Sequence, residues 1–66
     1  MVKGLNKYGN EMQTRILELY EMQMRAFGGK TPERELIEVF RFDEMICVRF
    51  KNGEWYHYDI ESSAWF

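Results

Sequence analysis

The chain has one cysteine, one histidine, a net charge of only −2 and no long apolar run, and each scarcity excludes something. A single cysteine, Cys47, cannot close an internal disulfide. One cysteine with one histidine is too few for a zinc site built from sulfur and nitrogen ligands. Acidic and basic residues are interspersed in nearly equal number, eleven against nine, whereas a dedicated duplex-DNA binder normally carries a strong basic excess. Nothing approaches the roughly 18 consecutive apolar residues of a membrane span, and MVKGLNKYGN lacks the apolar core of a signal peptide. A free thiol without an export signal predicts a reducing cytoplasm. At 66 residues the chain makes one domain, and such a chain buries only about 60% of its unfolded surface. Disulfides and metals being excluded, self-association is the remaining reinforcement.

What is present is apolar and aromatic. Hydrophobic residues make up 45% of the chain and aromatics 17%, too much for a disordered segment. In Met45–Ile60, MICVRFKNGEWYHYDI, two runs rich in β-branched and aromatic residues flank Asn52-Gly53, the strongest short-range hairpin signal. A two-residue turn there sets Phe50 opposite Trp55, Arg49 opposite Tyr56, Val48 opposite His57, Cys47 opposite Tyr58 and Ile46 opposite Asp59.

Upstream, residues 1–9 carry Gly4 and Gly9 and read as a flexible arm. Asn10 reads as an N-cap with Gln13 as its capping-box partner. The run that follows has no Gly or Pro, and Met12, Ile16, Leu19, Tyr20, Met24 and Phe27 recur at spacings of three and four. This predicts an amphipathic helix over 11–27, stopped by Gly28-Gly29. Leu17 and Met22 lie off the stripe. Thr31-Pro32-Glu33 opens a single helical turn at 32–35, and LIEVFRF predicts a strand at 36–42. A tight turn at Asp43-Glu44, not a favoured dipeptide for it, would set Ile37 opposite Phe50, Glu38 opposite Arg49, Val39 opposite Val48 and Phe40 opposite Cys47.

The predicted architecture is α+β: one N-terminal helix on a three-stranded antiparallel meander, with strands at 36–42, 45–51 and 54–60. One face carries Ile37, Val39, Ile46, Val48, Phe50 and Trp55, with Arg41, His57 and Asp59 toward an end. The helix is expected to cover it. The second carries Leu36, Phe40, Phe42, Met45, Cys47, Tyr56, Tyr58 and Ile60 with Glu38, Arg49, Lys51 and Glu54, and lacks a full internal cover. The tail Ser62–Phe66 is expected to dock over part of it, because Trp65 and Phe66 are costly to leave in water. A surplus apolar face marks an interface, and the expected set is Phe40, Phe42, Met45, Arg49, Tyr56, Tyr58, Ile60, Trp65 and Phe66.

Chemistry finds little support. The expected register sends Cys47 and His57 to opposite faces, out of reach of a thiolate–imidazole pair. His57 and Asp59 share a face but lack a nucleophile. Gly28-Gly29-Lys30-Thr31 misses the first glycine of a phosphate loop and follows a helix. No catalytic group, metal or cofactor is expected. The expectation is a protein-binding module, dimeric through the second face or the outer strand edge, that inhibits or modulates a larger partner. The alternative is single-stranded nucleic acid, on Arg49, Lys51, Tyr56 and Tyr58 as a stacking platform.

Phe50, Asn52, Gly53, Tyr56, Tyr58 and Ile60 together resemble the hairpin of the KTSC domain. That resemblance covers about a dozen residues. It implies a small standalone accessory protein of phage or mobile-element origin and no particular activity; a phage-encoded inhibitor is one concrete form of the expected function.

Overall fold

The structure, a computed structural model, describes residues 1–66. It contains helix α1 (Asn10–Ala26) and strands β1 (Leu36–Phe42), β2 (Met45–Phe50), β3 (Trp55–Asp59) and β4 (Ala64–Trp65), with 3-10 turns at Leu5–Lys7 and Pro32–Arg34. The strands form one antiparallel sheet in the order β1-β2-β3-β4. The α+β class holds, and the sheet has four strands where three were expected. The extra one comes from the tail, where Tyr58 pairs with Trp65 and Asp59 with Ala64.

The helix begins one residue earlier than its stripe suggested, and the capping box does not form. Gly9 is the N-cap and offers no side chain; the Gln13 amide instead donates to the Tyr8 carbonyl at 2.7 Å. At the other end Gly28 (φ 97°) and Gly29 (φ 119°) turn the chain out, and the Gly29 N–H reaches back to the Met24 carbonyl at 2.7 Å. Left-handed φ is accessible to glycine without a Cβ penalty.

Residues 1–9, expected as an arm, lie along β1. Lys3 makes a parallel bridge to Glu38, donating to the Ile37 carbonyl (2.9 Å) and accepting from the Val39 N–H (2.8 Å). Gly4 then turns away at φ 84°, so close to the strand that a Cβ there would overlap the Val39 carbonyl oxygen.

The first hairpin has the expected register: Glu38 opposite Arg49, Val39 opposite Val48, Phe40 opposite Cys47. Asp43 (φ 54°) and Glu44 (φ 59°) are both left-handed, as a two-residue type I′ turn requires. A bulge between Leu36 and Glu38 brings Leu36, not Ile37, opposite Phe50. That extra residue turns Leu36 into the core, against expectation.

The second hairpin differs by one residue. Arg49 faces Trp55, Val48 faces Tyr56, Cys47 faces His57 and Ile46 faces Tyr58. The Phe50 N–H donates to the Glu54 carbonyl (2.8 Å) and the Gly53 N–H to the Phe50 carbonyl (2.9 Å). The loop therefore has three residues, a tight turn through Lys51 and Asn52 closed by Gly53 at φ 94°. A one-residue slip sends every side chain of a strand to the other face. Tyr56, Tyr58 and Ile60 accordingly pack toward α1, and Trp55, His57 and Asp59 turn outward.

The core thus gathers Ile16, Leu19, Tyr20 and Met24 of the helix against Leu36, Val39, Val48, Phe50 and Tyr58 of the sheet. Gln23, fully buried among them, accepts a hydrogen bond from the Tyr58 hydroxyl at 2.5 Å, while its amide nitrogen has no partner. Burial pushes the Tyr58 hydroxyl far above the ordinary tyrosine range, and the Tyr20 and Tyr56 hydroxyls add to the shift. No helix is long and apolar enough to cross a membrane.

Candidate functional site

The face of the sheet turned away from α1 has no covering element, and its side chains form one contiguous group. Strand register sets three rows across it: Glu38, Arg49 and Trp55; Phe40, Cys47 and His57; and Phe42 with Met45. Phe66 extends the middle row, because residues 57 and 66 exchange both main-chain hydrogen bonds (2.9 and 3.1 Å). The rings touch in sequence: Phe40 to Trp55 at 5.9 Å, Phe42 to Trp55 at 5.6 Å and nearly perpendicular, Trp55 to His57 at 5.2 Å. Phe66 stacks parallel on His57 at 4.6 Å. Such offset and edge contacts are the favourable aromatic arrangements. Yet Phe42 remains 51% exposed, Trp55 41% and Phe66 64%.

Charge on this face is largely paired. Arg49 Nε lies 3.1 Å from Glu38 Oε1, and the guanidinium sits over the Phe40 ring at 4.7 Å. His57 Nε2 lies 3.1 Å from Asp43 Oδ2, and Nδ1 lies 3.3 Å from the Phe66 carbonyl. Both neighbours are acceptors, so only a doubly protonated ring donates to both. Asp43 is in the β1–β2 turn, so His57 ties that turn to β3 and the tail.

The register also revises the reason for setting Cys47 and His57 apart. They are cross-strand partners on one face, not on opposite faces. The thiol nonetheless belongs to the main chain, with Sγ 3.8 Å from the carbonyls of both Phe42 and Met45. Burial pushes its pKa up, outweighing the Phe42 contact, and a protonated thiol is a poor nucleophile. No group of three His, Cys, Asp or Glu side chains gathers as a metal cage would require.

Of the nine expected interface residues, Phe40, Phe42, Met45, Arg49 and Phe66 lie on the open face. Tyr56, Tyr58, Ile60 and Trp65 do not: they pack against the core on the helix side. Tyr58 is buried, Tyr56 lies 5.9 Å from the Phe27 ring, and Trp65 meets Phe27 edge-on at 6.3 Å. The one-residue longer loop causes the exchange on β3, and alternation along the tail parts Trp65 from Phe66. Trp55 and His57 take the vacated places. The signal that finds them is β3 itself, where Tyr56, Tyr58 and Ile60 alternate with polar His57 and Asp59.

The helix also presents Leu17 and Met22 to solvent, 39% and 41% exposed. They flank no aromatic cluster. Arg15 donates to the Ile60 carbonyl (3.0 Å), and Glu21 bridges to Lys30.

No protein-family model, no curated protein and no solved structure matches the chain. Fold and face therefore define a class only: a small α+β domain with one sheet face open. The residues that resemble the KTSC hairpin are structural ones here, since Phe50, Tyr56, Tyr58 and Ile60 all turn toward α1.

Proposed function

We propose that the chain is a non-catalytic, cytoplasmic binding module that pairs with a second copy through its open sheet face. As a dimer it presents its helices and acidic surface to a larger partner protein, which it inhibits or modulates. One observation carries the reading. Phe42, Trp55 and Phe66 form a continuous exposed aromatic patch, joined through the His57 ring, and contiguous patches of this kind mark interaction sites. Aromatics and arginine are the residue types enriched in interface cores. The free thiol Cys47 fits a reducing compartment.

The nucleic-acid alternative loses support. Of Arg49, Lys51, Tyr56 and Tyr58, its proposed platform, both tyrosines pack toward α1, Lys51 lies in the β2–β3 loop, and Arg49, which stays on the face, is paired with Glu38. The test is mass in solution by light scattering across a dilution series, for the native chain and for Phe42→Ser/Trp55→Ser. A native dimer with a monomeric, still helical variant is the expected result. A native chain that stays monomeric at all concentrations, or a variant that associates as the native chain does, overturns the reading.

A further inference from the structure

The outer edge of β1 offers a second, chemically different surface. The bonds of Lys3 to Ile37 and Val39 show which residues of β1 turn their main-chain groups outward. Period-two alternation continues that set to Arg41. Lys3 uses the Ile37 carbonyl and the Val39 N–H, and Gly4 then carries the chain away. Gly4 packs against the Val39 carbonyl, and the two main-chain groups of Arg41 are left facing a cavity of about 390 Å³ between this edge and the Leu5–Lys7 turn. Lys3, Lys7 and Arg41 line it, and its one acid, Glu38, is already bridged to Arg49. An unpaired edge is a template for strand addition, and three cations around it select the sign of the added strand.

We propose that this edge binds an extended acidic peptide segment, which continues the short parallel strand that Lys3 begins and places carboxylates beside Lys3, Lys7 and Arg41. Main-chain groups give the register and the cations give the preference. The cavity borders the open aromatic face at Glu38 and Phe40, but the main-chain groups it offers lie on the β1 edge and do not depend on dimerisation through that face.

The test is a titration of the full ¹⁵N-labelled chain with a blocked heptapeptide of alternating glutamate and valine, against a lysine–valine counterpart. The acidic peptide should shift and protect from exchange the Arg41 amide, and its affinity should fall with added salt. Lys7→Glu, a change at an exposed side chain, should weaken binding by about fivefold, the scale of a surface charge reversal. Equal response to both peptides, shifts centred on Trp55 instead of Arg41, or no protection of the Arg41 amide would each overturn it. So would Arg41 shifts that grow with protein concentration alone, which would make the edge a contact between copies.

Discussion

The two hairpin turns reverse what their sequences favour. Asp43-Glu44, a poor pair for a type I′ turn, takes that conformation with both residues left-handed. Asn52-Gly53, the best pair for it, sits instead in a three-residue loop where Gly53 alone is left-handed. Left-handed φ at a non-glycine costs roughly 1–2 kcal/mol, so the first turn needs outside support. It has two struts, Arg41 Nη2 donating to the Glu44 carbonyl (3.1 Å) and His57 holding Asp43. The second loop is held elsewhere: the Lys51 and Asn52 N–H groups donate to the carbonyls of Glu35 and Glu33 at 2.9 and 2.8 Å. A two-residue turn would also drive His57 and Asp59 under the helix. Burying an uncompensated charge costs more than a turn preference contributes, so strand patterning outranks turn propensity.

The comparison breaks most decisively at β3. In the adopted register Tyr58→Ala removes a buried ring and its bond to Gln23, which should cost about 3–5 kcal/mol. Trp55→Ala trims a half-exposed ring and should cost about 1 kcal/mol or less. The two-residue register predicts the opposite order. Denaturant unfolding of both variants decides it, and a Trp55 variant that suffers more than the Tyr58 variant would refute the register described here.

A finer test exchanges the demands of the two turns. Gly53→Ala places a Cβ at φ 94°, and although nothing lies within reach of it, the strained backbone should cost about 1–2 kcal/mol. Glu44→Gly relieves the same strain at φ 59° and should stabilise by about 0.5–1 kcal/mol, net of the flexibility it adds to the unfolded chain. Midpoints of thermal unfolding should move in opposite directions. Movement in the same direction would mean that the turns are not limited by backbone strain.

The helix, the strand at 36–42 and both hairpins were legible, because helical spacing, β-branched runs and turn dipeptides are local signals. What was not legible depends on contacts between distant segments. The Lys51 and Asn52 N–H groups choose the longer loop by bonding to Glu33 and Glu35, and no local pattern announces that pairing. The bulge that buries Leu36 and the tail strand that parts Trp65 from Phe66 are of the same kind. Gln23 was hidden for another reason: it occupies a core position of the helical stripe, between Tyr20 and Phe27, but its polarity removed it from an apolar count. Phe40, Phe42, Met45 and Arg49 stayed on the candidate face because β1 and β2 kept their register, and Tyr56 and Tyr58 left it because β3 did not.

The smallest expected effect concerns the side chains that brace the longer loop. Glu54 accepts from Arg34 Nε and from the Asn52 amide, both at 3.0 Å, and its own N–H donates to Asn52 Oδ1 at 3.0 Å. Arg34 first, then Asn52, holds the Glu54 carboxyl below the ordinary glutamate range. A carboxyl lowered in the folded state stabilises fully above its unfolded pKa, and that contribution is lost as pH falls through the folded value. Glu54→Gln should therefore be less stable than the native chain near neutrality, with the gap closing as the solution is acidified below the usual carboxylate range. Glu33, lowered by its own main chain and Thr31, keeps its share of the acid slope in both proteins. Unfolding midpoints recorded from neutral to acidic pH give the comparison directly: a gap that stays constant with pH would show that Glu54 braces the loop by shape and not by charge.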